Sequence, residues 1–177
     1  AAVVAFNSPL DSGRQTQVLL HLQHAFEMLL KAALVEEGTK VFDSRTGRAI
    51  GFGKCVALAL NSKSMRLSDA EAGVLRAIEN LRDDEQHWFN HVSEQLLYVN
   101  VRAGVTLFDE LTSRVFHDSL VNHLAYRVLP ITAEPPTDFE ILLDEEYSQI
   151  AKLLAPGRRA RDEARARVRT LLAMEGL

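Results

Sequence analysis

The sequence predicts an all-α fold, a bundle of about four helices followed by a helical C-terminal extension. Three observations carry this. Apolar residues recur at three- and four-residue spacing over long runs, capping boxes and glycine stops punctuate those runs, and only residues 128–131 read as a possible strand. With 177 residues, 47% of them hydrophobic, the chain can bury a core of single-domain size.

Residues 1–13 hold Asn7-Ser8-Pro9 and Asp11-Ser12-Gly13, turn chemistry that predicts a strap entering the first long helix. That helix is expected from about Gln15 to Glu37. Val18, Leu19, Leu22, Phe26, Leu29, Leu30 and Ala33 form its apolar stripe, and Gly38 is its stop. Thr39 to Gly53 is loop in composition and leads to a short apolar helix from about Lys54 to Leu60. Ser68-Asp69-Ala70-Glu71 is a capping box opening a helix through Leu75, Ile78 and Leu81, with Arg82 near its end. A further long helix is expected from about Ser93 to Phe116, with Gly104 inside it at a cost of about 1 kcal/mol relative to alanine.

The segment from Val128 to Pro136 contains Pro130, Pro135 and Pro136 and is expected to be an extended connector. Thr137-Asp138-Phe139-Glu140 is a second capping box, starting a helix that should end near Pro156-Gly157, and a last helix follows from Arg158. The expected organisation is therefore a strap (1–13), a helical bundle (14–127), a connector (128–136) and a helical extension (137–177) that continues into a downstream region.

The formal net charge of −4 excludes a bulk electrostatic case for nucleic-acid binding, so any polyanion site must be local. The one basic cluster is Arg158, Arg159, Arg161, Arg165, Arg167 and Arg169, which either grips an RNA backbone or forms an exposed helix with intrahelical ion pairs. The single cysteine, Cys55, excludes an internal disulfide and a cysteine-rich metal site, and fits a reducing compartment. No apolar stretch is expected to reach the roughly 20 residues that span a bilayer, and no signal peptide is evident. The expected setting is cytoplasmic, with no membrane partner.

Phosphate-binding loops, Gly-x-Gly-x-x-Gly, His-Glu-x-x-His and Gly-x-Ser-x-Gly are all absent. What remains is the polar run Arg82-Asp83-Asp84-Glu85-Gln86-His87, followed by Trp88-Phe89. A guanidinium donates several hydrogen bonds to phosphate oxygens, and an imidazole moves a proton near neutral pH. Together they can cleave a phosphodiester without a metal or other cofactor. On a continuous helix the two would stand about 140° apart, so one chain can bring them into one cleft only if the helix breaks between them. A straight helix from Leu81 to Phe89 would favour a binding module instead.

Arg82-Asp83-x-x-x-His87 resembles the Arg-x4–6-His motif of the HEPN superfamily, where a polar residue follows the arginine. The run from His24 to Leu34, with Glu27 and Lys31-Ala32-Ala33-Leu34, is similar to a preceding HEPN helix. Gly51 to Cys55, Gly104 to Asp109 and Arg127 to Ile131 extend the likeness over most of residues 6–169, to a branch described only as a domain of unknown function. The resemblance implies a four-helix bundle that commonly forms a homodimer, and an endoribonuclease of the toxin or phage-defence type leaving a 2′,3′-cyclic phosphate. Arg82 and His87 would be catalytic and Asp83 supporting. Some members bind RNA or dimerise without cutting.

His24, Glu27 and Lys31 share one polar stripe, within about 60° on a helical wheel. They form either an exposed face with an ordinary Glu27–Lys31 pair or a support in which Glu27 holds Arg82. His91, four residues after His87, has metal-ligand spacing but no third ligand set by motif, so a surface or capping role is expected. Trp88, Phe89 and Tyr98 are expected to pack in the core rather than stack on bases. No helix-turn-helix supports a DNA-binding regulator.

Overall fold

The structure, a computed structural model, describes residues 1–88, 92–124 and 139–156, together with positions 161, 164, 165, 167, 168 and 171. The named elements are helical: α1 (Ala2–Phe6), α2 (Arg14–Glu36), α3 (Phe52–Ala59), α4 (Asp69–Trp88), α5 (Glu94–Phe116), a 3-10 turn at Leu120–Asn122, and α6 (Phe139–Leu153). Among the described residues the only β pairing is one isolated bridge between Phe42 and Ala49. The fold is all-α.

α2 is the centre of the packing, touching α1, α3, α4 and α5, while α4 also meets α3 and α5. Its apolar stripe explains this position: Val18, Leu19, Phe26 and Leu30 are fully buried at steps of one, seven and four. α2 stops where expected. Gly38 takes a left-handed φ of +78°, its N–H donates to Val35 O, and the Thr39 N–H donates to Leu34 O, a Schellman closure that satisfies the last carbonyls. By length and composition α2 is also apolar enough to cross a membrane, which corrects the expectation that no stretch is. Its apolar side is spent on the core instead, and Gln23, Glu27 and Lys31 interrupt the run.

The strap is partly helical, another correction. Ala2–Phe6 forms a short helix on α2 because Ala5 is buried and the Arg14 guanidinium sits 5.8 Å from the centre of the Phe6 ring and donates to Phe6 O at 3.2 Å. α3 begins two residues earlier than expected, at Phe52, and α6 ends at Leu153, close to the stop expected near Pro156-Gly157. The first capping box is made as read: Glu71 N donates to Ser68 Oγ (3.2 Å) and Ser68 N donates to Glu71 Oε2 (2.7 Å). Ser93 caps α5 by accepting from Leu96 N at 3.2 Å. The expected connector 128–136 and the capping side chains of the second box lie outside the described residues.

α6 and the helical positions after it add to the same hydrophobic core. Glu146, Ile150 and Leu153 are buried on one side of α6, Ala164 and Leu171 are buried beyond it, and Arg167 Nη1 donates to Glu146 Oε2 at 2.8 Å.

Gly104 is where three helices converge. A Cβ added there would stand 3.1 Å from Ile78 Cδ1 of α4 and 3.1 Å from Leu22 Cδ2 of α2, closer than ordinary van der Waals contact. The glycine that costs helix propensity thus permits the approach of α5. Gly104→Val should destabilise the protein by about 1–3 kcal/mol through overpacking, read as a lowered denaturation midpoint. An unchanged midpoint would show that the helices are not in close contact there.

Candidate functional site

α4 carries the polar run of interest on its last two turns. Ile78 and Leu81 are buried on its core side, and Glu85, one turn after Leu81, accepts a hydrogen bond from Thr16 Oγ1 of α2. This ties the end of α4 to the start of α2. Arg82 is 28% exposed; its Nη1 donates to Asp83 Oδ1 at 2.8 Å, and its Nε is buried with no hydrogen-bond partner among the described residues. Such an orphaned donor costs about 1–3 kcal/mol, which the surrounding packing must offset.

The helix does not break between Arg82 and His87. It runs from Asp69 to Trp88, so positions 82 and 87 are separated by five helical steps, about 140°. The turn or kink needed to converge both residues on one cleft of one chain is absent, because Leu81 and Glu85 hold successive turns of a single helix against the core. The side chain of His87 lies outside the described residues, as do Phe89 and His91, and with them the His87/His91 spacing.

Glu27 and Lys31 are neither fully solvated nor aimed at Arg82. Lys31 Nζ pairs with a Glu27 carboxylate oxygen, at 12% and 26% side-chain exposure, whereas Arg82 pairs with Asp83. The Glu27–Lys31 pair lies near Cys55 of α3. Burial pushes that thiol up, the Lys31 charge pulls it back and Glu27 adds to the rise. His24 is exposed and stands apart from these contacts.

The acidic neighbour that the sequence did not single out is Glu79, one turn before Arg82 and Asp83. Burial holds its carboxyl above the ordinary 4.5, the Asp83 charge adds to the rise, and a hydrogen bond from the Gly53 N–H together with Arg76 and Arg82 opposes it. No residue spacing announces this, because the Gly53 N–H arrives from another helix.

Tyr98 is buried with its ring 6.2 Å from that of Phe6, so it packs in the core and offers no stacking surface. Of the remaining histidines, His117 adopts a left-handed φ of 54° at the end of α5, and His123 bonds Asp118. Hydrogen bonds from Asn122, His123 and Ser119 lower the Asp118 carboxyl to about 2. In the C-terminal Arg cluster, Arg161 and Arg165 are exposed, Arg167 is bound to Glu146, and Arg158, Arg159 and Arg169 lie outside the described residues.

One concave surface has no counterpart in the sequence pattern. An open cleft of about 760 Å³ is lined by Lys63, Ser64, Arg66, Ser68, Glu71 and Arg114. It joins the loop before α4 to the last turn of α5, and no periodicity brings those segments together.

A family model described as a domain of unknown function (DUF8611) matches residues 142–177. The match covers most of α6 and the Arg-rich segment after it, leaving Glu27, Arg82 and His87 outside. No curated protein and no solved structure matches the chain.

Glu79 supplies a pH prediction. Its folded-state pKa is raised, so its ionised form opposes folding above that pKa, and the penalty vanishes below the unfolded value near 4.5. Glu79→Gln should therefore melt higher than wild type at neutral pH, with the advantage shrinking as pH falls toward 4.5. An advantage independent of pH would rule out this origin.

Proposed function

We propose that this chain is a HEPN-type helical module that binds RNA and, as a single chain, does not cut it. The observation that carries the reading is the unbroken α4, which leaves positions 82 and 87 about 140° apart and so builds no joint guanidinium–imidazole cleft within one chain. Support for RNA as the partner comes from the Arg-rich C-terminal segment, where Arg161 is exposed in a chain of net charge −4. Arginines so placed bind phosphates and make affinity fall steeply with salt. The four-helix bundle and homodimer implied by the resemblance, and the cytoplasmic setting expected from the composition, belong to this proposal.

A metal-independent endoribonuclease of the toxin or phage-defence type is the second reading, and the Arg82–Asp83 bond favours it. Asp83 occupies the polar slot of the motif and orients the guanidinium from the neighbouring position. With α4 continuous, this chemistry requires two copies: Arg82 of one chain stabilises the charged phosphorane while His87 of the other transfers the proton.

Two measurements separate the readings. Incubating labelled RNA with wild-type protein in EDTA should leave it intact yet retained on the protein, and Arg161→Ala should weaken that retention and flatten its salt dependence. Should RNA be cut, Arg82→Ala and His87→Ala should each abolish cleavage, and mixing the two variants should restore part of it. Cleavage restored by mixing establishes the two-copy ribonuclease and sinks the binding-only account; protein that neither retains nor cuts RNA sinks both.

A further inference from the structure

The cleft between the Ser62–Leu67 loop and α5 has the chemistry of a phosphate site, and its construction shows which of its groups are committed. Glu71 is fully occupied: Oε1 accepts from Arg114 Nη2 at 2.7 Å, and Oε2 accepts from the Ser68 N–H and hydroxyl at 2.7 and 2.8 Å. Arg114 is a fixture too, since its Nη1 donates to Met65 O at 2.8 Å. The charge of Glu71 is thus balanced by Arg114. Lys63 and Arg66 are exposed and form no ion pair among the described residues, and with the Glu37 carboxylate bound to Ser62 and Ser64 of the same loop one positive charge is left in excess.

The loop that presents them is held rigidly. Met65 is buried, its N–H donates to Ser62 Oγ at 3.0 Å, and Glu37 at the end of α2 accepts from Ser62 Oγ (2.8 Å) and from the Ser64 N–H (2.6 Å). Those bonds hold the Glu37 carboxyl below its ordinary range. Arg66 itself adopts φ 47°, a left-handed conformation that a side-chain-bearing residue enters only when its surroundings dictate it. Arg66 Nε donates to the Lys63 carbonyl at 3.3 Å, which keeps its guanidinium on the same loop as the Lys63 ammonium.

The shape narrows the ligand. The lining holds no aromatic side chain to stack a base and no apolar wall to enclose a small molecule, and the cleft is open along its length. A surface of cations and hydroxyls, with its one lining carboxylate, Glu71, already held by Arg114 and Ser68, suits a charged backbone that passes over it.

We propose that this cleft holds the phosphodiester backbone of single-stranded RNA, with Lys63 and Arg66 as the phosphate contacts. The assignment rests on the RNA-binding reading above and locates a second contact surface on the bundle, separate in sequence from the Arg-rich C-terminal segment. Because it touches phosphates alone, it contributes affinity without sequence preference.

The test compares wild type with Lys63→Met/Arg66→Gly by fluorescence anisotropy of a labelled oligouridylate across a salt series. Glycine at position 66 accepts the left-handed φ, so the charge is removed without straining the loop. The double variant should bind about tenfold more weakly for each of the two cations removed. The slope of log affinity against log salt should fall by about 1.4, near 0.7 for each phosphate no longer neutralised. Should the double variant melt early, Lys63→Glu alone, an exposed substitution, should still weaken binding. Wild type that binds RNA alongside variants with unchanged affinity and slope overturns the cleft and leaves the RNA-binding reading standing. Wild type that binds no RNA overturns both.

Discussion

The close approach of α5 to α2 and α4 at Gly104 is the contact on which the rest of the arrangement depends. Leu22, Ile78 and the bare backbone at Gly104 meet where a single methyl group would intrude, so the three longest helices pack at the separation that buries Phe26, Leu30, Leu75, Leu97 and Leu107 together. The Phe26 and Phe108 rings stand edge to face 5.4 Å apart within the same layer, a further consequence of that spacing. Moving α5 outward would loosen all of this packing, because a close-packed interior has no slack to absorb the shift.

That packing also governs the polar run on α4. Leu81 is buried in the core and Glu85 is bonded to Thr16 at the start of α2, and a helix secured on consecutive turns continues through positions 82 to 88. The continuity determines what the run can do alone: Arg82 can be oriented by Asp83, its neighbour, but position 87 faces a different direction by helical geometry. Any chemistry that needs both residues becomes a question of assembly between copies.

Electrostatics across the chain is local. Glu71, Glu94 and Glu146 are taken by Arg114, Arg14 and Arg167, and these pairs join segments distant in sequence. Their arginines are committed to these pairs. Positive charge remains outward at Lys63, Arg66 and Arg161, which explains how an acidic chain can still present basic surfaces.

Much of the fold was legible in the residues themselves. Helical periodicity marked α2, α4 and α5, Ser68 and Ser93 marked two helix starts, and Gly38 marked a stop, because capping and amphipathic spacing are local properties with local causes. The Arg82/His87 motif was equally visible as a pattern, yet its geometry was not, since whether a helix breaks depends on what its neighbouring turns pack against. Ala2–Phe6 became helical only because α2 was there to receive it. Glu79 and the Lys63/Arg66 cleft were hidden for the same reason: desolvation, the Gly53 hydrogen bond and the meeting of the Ser62–Leu67 loop with Arg114 arise between segments far apart in the chain. The sequence by itself determined the helices and their ends; only the tertiary structure decided which side chains share a site, because proximity across helices is set by packing and not by spacing along one of them.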